Sequence, residues 1–278
     1  MKIIERRITL PNITLNVAFS DNINQPVILL LHGYPDAWFG WEKVMKLLVS
    51  KGFRVIAPDQ RGYNLSDKPT SISAFANDVL VQDALDLMNH FGYQQFFLAG
   101  HDFGAYLAFL IGIKAPNRVL KLITISGFHP TTYQNLHRLN FKQRLKSWYL
   151  TFFRLPLIPE LLLKMKDYRL LFQNHSTQLS ASEKQRYKKA WSTENALQSM
   201  INWYRSKPTI VKNPMLKMPV LILWGERDLY LSKDVAINNL SFCKKGELLI
   251  ITQASHWLLI ENSTEVADKM THFLLSNA

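Results

Sequence analysis

Six short runs along the chain are apolar without alternation: "PVILLLHG", "RVIAPD", "QFFLAG", "VLKLITISG", "MPVLILWG" and "ELLIITQ". A strand with one wet face alternates apolar and polar residues. Unbroken runs of Val, Ile, Leu and Phe belong to strands buried on both faces, as in a parallel sheet. Between the runs lie stretches of helical period, such as "SISAFANDVLVQDALDLMNHFG", with apolar residues three and four apart and Gly92 near the end. Strand, helix and strand in repetition predict an α/β sheet flanked by helices. Residues 3–10 and 13–19 add an antiparallel edge pair, because Pro11-Asn12 leaves room only for a tight turn. The expected sheet then has eight strands, most of them parallel.

The rhythm breaks between "ITISG" and "MPVLILWG". Segment 129–213 is basic, aromatic and helical in pattern, and it predicts a lid inserted into a core made of 1–128 and 214–278. No internal repeat or low-complexity tract points to a solenoid or a disordered tail.

Composition and charge sharpen this reading. A chain of 278 residues, 47% hydrophobic and 19% charged, has enough apolar sequence for one large core. The single cysteine, Cys243, excludes an internal disulfide and is expected to be a buried small residue. The stretch "MKIIERRITLPNITLNVAFS" lacks the apolar centre of a secretory signal. The best apolar segment, "WYLTFFRLPLIPELLLKM", is broken by Arg154, Pro156 and Pro159, short of the roughly 18 apolar residues of a membrane span. A cytoplasmic protein is expected.

The net charge of +12 gathers in the predicted lid, where fifteen Lys and Arg face four Asp and Glu. No zinc finger, RNP aromatic pattern or basic helix accompanies it, so nucleic acid is not an expected partner. A solvated positive face accounts for the charge. Its mixture with "WYLTFFRLPLIPELLL" adds the expectation of weak contact with anionic membranes.

Three candidate residues follow three predicted strands, where open α/β sheets place their ligands. Asp102 lies in a Gly-x-Asp-x-Gly turn after "QFFLAG", Asp228 in "WGERD" after "MPVLILWG", and His256 in "ASHW" after "ELLIITQ". Each has a duller reading alone: a helix cap for Asp102, a loop carboxylate for Asp228 with Glu226 competing, a packed histidine for His256. In chain order they make nucleophile, acid and base. After "PVILL", the turn "HGYP" can aim the Tyr34 N–H at the site beside that of Phe103, a pair of donors forming an oxyanion hole. No spacing of His, Cys or Glu suits a metal.

An aspartate where many hydrolases carry serine selects the reaction. A serine that attacks an alkyl carbon makes an ether, which histidine and water cannot cleave; an aspartate makes an ester, which they can. A carboxylate is also ionised above about pH 4 and needs no base to activate it. His256, oriented by Asp228, is then free to activate the water that cleaves the ester. This points to substitution at saturated carbon, through epoxide opening or carbon–halogen cleavage.

The sequence resembles the epoxide hydrolases of the α/β-hydrolase fold over essentially its whole length, through "HGYPDAWFGW", "APDQRGYNLSDKP", "GHDFGAYLA", "SWYLTFFRLPLIPE", "NWYR", "WGERD" and "SHW". The resemblance implies two lid tyrosines that hold and protonate the epoxide oxygen, and Tyr149 and Tyr204 match those motifs. It implies a lipophilic epoxide as substrate and no cofactor. Trp38, His101, Phe128 and Trp257 are the expected pocket residues, although Trp38, with Phe39 and Trp41, reads equally as core. Asn64 stands where many relatives carry glycine, and Asn tolerates the positive φ the turn needs. Two alternatives stay open. A haloalkane dehalogenase shares the chemistry but usually places a tryptophan after the nucleophile, where this chain has Phe103. A non-catalytic receptor on this fold would use the pocket only for binding.

Overall fold

A computed structural model of the chain describes residues 2–135, 141–207, 211–212 and 214–276. The eight-stranded sheet has the order β1-β2-β4-β3-β5-β6-β7-β8. β1 (Ile3–Thr9) and β2 (Thr14–Ser20) form the expected antiparallel hairpin, and β2 also runs antiparallel to β4 (Arg54–Pro58). The other pairs, through β3 (Val27–Leu31), β5 (Phe96–His101), β6 (Val119–Ile125), β7 (Leu216–Gly225) and β8 (Cys243–Ile251), are parallel. Every residue of β3 and β4 is buried, which is why their sequences show no alternation.

The Phe103–Lys114 helix that follows β5 is apolar all round, and Phe103 through Gly112 are buried. It packs so closely on the sheet that a Cβ on Gly104 would collide with the Leu31 and His32 carbonyl oxygens of the neighbouring strand end. Only glycine lets the two backbones meet there.

Three expectations need correction. The predicted helix across 71–92 is two pieces, a 3₁₀ turn Ile72–Phe75 and an α-helix Asn77–His90. Ala76 between them is extended, at φ −60° and ψ 142°. β8 starts four residues before "ELLIITQ", at Cys243. Cys243 itself is only partly buried.

Between β6 and β7 the described residues are helical: Pro130–Gln134, Phe141–Lys146, Trp148–Phe152, Ile158–Gln173, Ala181–Trp191 and Ala196–Arg205. The Ile158–Gln173 segment is bent where Lys166, Asp167 and Tyr168 take left-handed φ values. The expected boundary at 213 lies outside the described residues, as do 136–140 and 208–210. Among the described residues no helix is long and apolar enough to cross a membrane.

The insertion is fastened to the core over two loops. Tyr187 donates its hydroxyl to Asp36 Oδ1 (2.8 Å) and Trp191 donates Nε1–H to the Pro35 carbonyl (2.7 Å), gripping the turn after β3. Lys146 donates to the Asp228 carbonyl (2.6 Å), while Gln143 donates to the Tyr230 carbonyl (3.2 Å) and accepts from Ser232 N–H (2.8 Å), gripping the turn after β7.

The tight approach at Gly104 yields a prediction. Gly104→Ala should lower stability by about 3 kcal/mol through overpacking against backbone that cannot yield, measured by urea unfolding. An unchanged midpoint would contradict the close packing.

Candidate active site

Asp102 sits at the sharp turn between β5 and the Phe103–Lys114 helix, at φ 53° and ψ −118°. That conformation is costly for a residue with a Cβ, and such strain persists only where the surroundings over-determine it. Here the Asp102 N–H donates to the Ile125 carbonyl (3.1 Å), and its own carbonyl accepts from Ala105 and Tyr106 (3.0 and 3.1 Å). The side chain forms no cap on its helix, contrary to the duller reading. Its Oδ1 accepts the Tyr34 N–H at 2.9 Å.

The Tyr34 turn is itself held by His32, which donates Nδ1–H to the Gly33 carbonyl (2.9 Å) and accepts Gln60 N–H at Nε2 (3.0 Å). Both partners fix one neutral tautomer, and burial pushes the ring down to about 4. Phe103, the other expected donor, opens the helix, where N–H groups lack an intrahelical partner. Among the described residues, the backbone bond that the Asp102 carboxylate accepts comes from Tyr34.

His256 joins two carboxylates. Its Nδ1 lies 2.8 Å from Asp228 Oδ2 and its Nε2 3.6 Å from Asp102 Oδ2. Asp228 is fixed by Tyr230 and Leu231 N–H groups on Oδ1, at 2.8 and 2.9 Å. Glu226, its rival in the sequence, accepts instead from Gln253 N–H. Burial alone would lower the His256 pKa, but the Asp228 charge, with the Asp228 hydrogen bond and the nearby Asp102 carboxylate, overrides it and lifts the ring to about 10. In turn His256 holds Asp228 below the usual carboxylate range, against the upward push of burial.

A cluster of aromatic rings packs beside the Asp102 turn. Tyr204 packs edge-on against Phe103 (4.6 Å between centroids), Tyr34 (5.2 Å) and Tyr149 (6.1 Å), and Phe153 lies 4.6 Å from it. Burial first, and the Asp102 charge next, hold the Tyr149 and Tyr204 phenols well above their ordinary pKa. Both are therefore protonated donors throughout the working range.

The expected pocket residues divide. Phe128 stands in the aromatic wall, 5.9 Å from Phe103 and stacked on Tyr133 at 4.7 Å. Trp257 donates to the Asn174 carbonyl and stacks on His175 at 3.8 Å, joining the base to the insertion. His101 donates Nε2–H to the His256 carbonyl at 2.9 Å. The Trp38 indole donates to Glu5 and lies under the Arg186 guanidinium at 4.7 Å. Asn64 does take positive φ (40°), and its amide donates to Asp59.

Two neighbours escaped the sequence reading. Tyr230 lies 5.0 Å from the His256 ring and 6.1 Å from Tyr149. Its only signal was its place two residues after the acid. Phe153 belonged to a quoted motif but resembled any other lid aromatic. Among the described residues no cluster of His, Cys, Asp and Glu could hold a metal ion.

A family described as the alpha/beta hydrolase fold matches residues 26–263. The AB hydrolase superfamily protein YfhM of Bacillus subtilis is 37% identical over 94% of both chains. Epoxide hydrolase 4 of Homo sapiens is 34% identical over 88% of this chain and 71% of its own length. An epoxide hydrolase variant from Bacillus megaterium, solved with its naphthyloxy-propanediol product, superposes with a TM-score of 0.89 at 26% identity, covering 98% of this chain and all of that one. The chain belongs to the α/β-hydrolase family.

The charge on His256 has a consequence for stability. The ring is raised from 6.5 to about 10 on folding. Its stabilising contribution is therefore complete below pH 6.5 and is lost as pH rises towards 10. Relative to His256→Gln, the wild type should lose stability across that window, by up to about 1.4 kcal/mol per pH unit. Thermal unfolding of both proteins at stepped pH checks this; parallel curves would contradict it.

Proposed function

We propose that the protein is an epoxide hydrolase that opens a lipophilic epoxide through an alkyl ester on Asp102. One observation carries the reading: a carboxylate, held at Oδ1 by the Tyr34 N–H and facing His256 with Oδ2, shares its surroundings with two phenols, the buried Tyr204 and the half-buried Tyr149. The relatives named epoxide hydrolases support it.

In the first step Asp102 Oδ2 attacks a ring carbon, a C–O bond of the epoxide breaks, and an ester forms. The leaving alkoxide is too basic to depart unaided. Tyr149 and Tyr204 share it, and one gives up its proton to it, later regained from water. In the second step His256 takes a proton from water, and the hydroxide attacks the Asp102 carbonyl carbon. Negative charge gathers on Oδ1, where the Tyr34 N–H is already aimed, joined by that of Phe103. Collapse expels the second oxygen of the diol, protonated by His256, and restores the carboxylate.

The raised pKa of His256 fits this sequence. In the resting state the imidazolium and the Asp102 carboxylate neutralise each other. Ester formation abolishes the Asp102 charge, so one of the influences holding the proton on His256 disappears as a base is required; that proton passes through water to the tyrosinate, and the Asp102 carboxyl released by hydrolysis returns one to His256. Hydrogen bonding to Asp228 keeps the ring oriented, with Nε2 towards the ester.

His256→Ala should stall at the ester. Intact-mass measurement after incubation with epoxides should find an adduct equal to the whole epoxide. An adduct formed only with matched haloalkanes, lighter by hydrogen halide, would replace the reading with dehalogenation; none from either panel would favour a receptor. Tyr149→Phe and Tyr204→Phe should each lower turnover, and the double variant by about 10²–10⁴-fold. Undiminished turnover in the double variant would remove the phenols from the mechanism.

A further inference from the structure

Ten of the eighteen exposed large hydrophobic side chains among the described residues fall within 141–170, roughly a tenth of the chain. Leu157, Trp148 and Leu161 expose 72%, 66% and 65% of their surface. Scattered apolar residues on a surface need no explanation, but a concentration of this kind marks a contact.

The start of the Ile158–Gln173 helix carries apolar side chains on its outer as well as its inner face, with Glu160 between them. Pro159 and Leu163 face the interior and are buried, whereas Ile158, Leu161 and Leu162, at helical spacing, face outward and are exposed. Apolar side chains grouped on the outer face of a surface helix mark a contact with a partner or with lipid. Leu157, just before it, holds a left-handed φ of 63°, an uncommon conformation for a bulky residue, at the most exposed of these positions.

Charge decides what covers this face. Segment 141–173 carries seven Lys and Arg and two acids. Both acids are already neutralised from outside the segment, Glu160 by Arg205 (2.5 Å) and Asp167 by Lys188 (2.7 Å). Arg144, Lys164 and Arg169 are exposed among the apolar side chains. A second copy of the chain would bring the same cations face to face across a two-fold axis, which disfavours self-association. An anionic bilayer surface satisfies both features, apolar side chains entering the acyl boundary and cations meeting headgroups. A tryptophan such as Trp148 suits that interface.

We infer that the 141–170 face of the insertion is a docking surface for anionic lipid membranes, holding the protein at the bilayer without spanning it. The Trp148–Phe152 helix presents Trp148 outward, while Tyr149 turns towards Tyr204 and Tyr230. The docked face is then the outer side of the aromatic cluster beside the Asp102 turn. If the function proposed above holds, docking places that cluster where lipophilic epoxides concentrate; the docking itself does not depend on that function.

Co-sedimentation of the full chain with phosphatidylcholine vesicles, with and without phosphatidylglycerol, tests the inference. Binding should need the anionic lipid and weaken with salt. Leu157→Asp/Leu161→Asp, and separately Lys164→Glu/Arg169→Glu, should each reduce it at least ~10-fold while leaving thermal unfolding unchanged. Equal sedimentation with both vesicles at low salt would overturn the inference, as would full binding by both variants. Sedimentation velocity without lipid separates the rival: a dimer abolished by Leu157→Asp/Leu161→Asp would assign the face to self-association.

Discussion

Asp102 is held at φ 53° and ψ −118°, and the arrangement of the site follows from how that strained turn is kept. β5 brings the chain up the middle of the sheet, and the Phe103–Lys114 helix must leave at once, packed against β3 closely enough to require Gly104. The same crowding brings the turn after β3 alongside, where a Cβ on Gly33 would strike the Asp102 side chain. The Tyr34 N–H thereby reaches Asp102 Oδ1. The strain is thus repaid by position: the carboxylate stands clear of its strand with one oxygen fixed and the other turned to His256.

The remaining elements act on the two flanks of that turn. His256 comes from the end of β8 and Asp228 from the end of β7, so neighbouring parallel strands deliver the two hydrogen-bonded side chains together. The insertion grips both adjacent loops, through Tyr187 and Trp191 on one side and Gln143 and Lys146 on the other. The helices that carry Tyr149 and Tyr204 are therefore referenced to the same loops that carry Tyr34 and Asp228. This ties the two phenols to Asp102 without a direct bond between them.

Much of this was legible in the sequence, for identifiable reasons. β3 to β7 announced themselves because burial on both faces demands continuous apolar residues. Asp102, Asp228 and His256 stood out because each follows such a strand. The edge strand β8 has several exposed residues in its first half, so the apolar criterion found only its end. A motif's neighbours share its location in sequence but not its direction. Trp38 turns out to Glu5 and Arg186, and His101 turns behind His256. Tyr230 and Phe153 join the site only through packing across the insertion, a long-range relation that local pattern does not carry.

The most direct test of the central claim, attack by Asp102 rather than by water, is one turnover in heavy-oxygen water with enzyme in excess over an epoxide. Hydrolysis of an Asp102 ester leaves the label on the enzyme, so the Asp102 peptide should gain heavy oxygen while the first diol formed carries none. A labelled diol from that first turnover, with an unlabelled Asp102 peptide, would mean that water attacks the epoxide directly and would contradict the account.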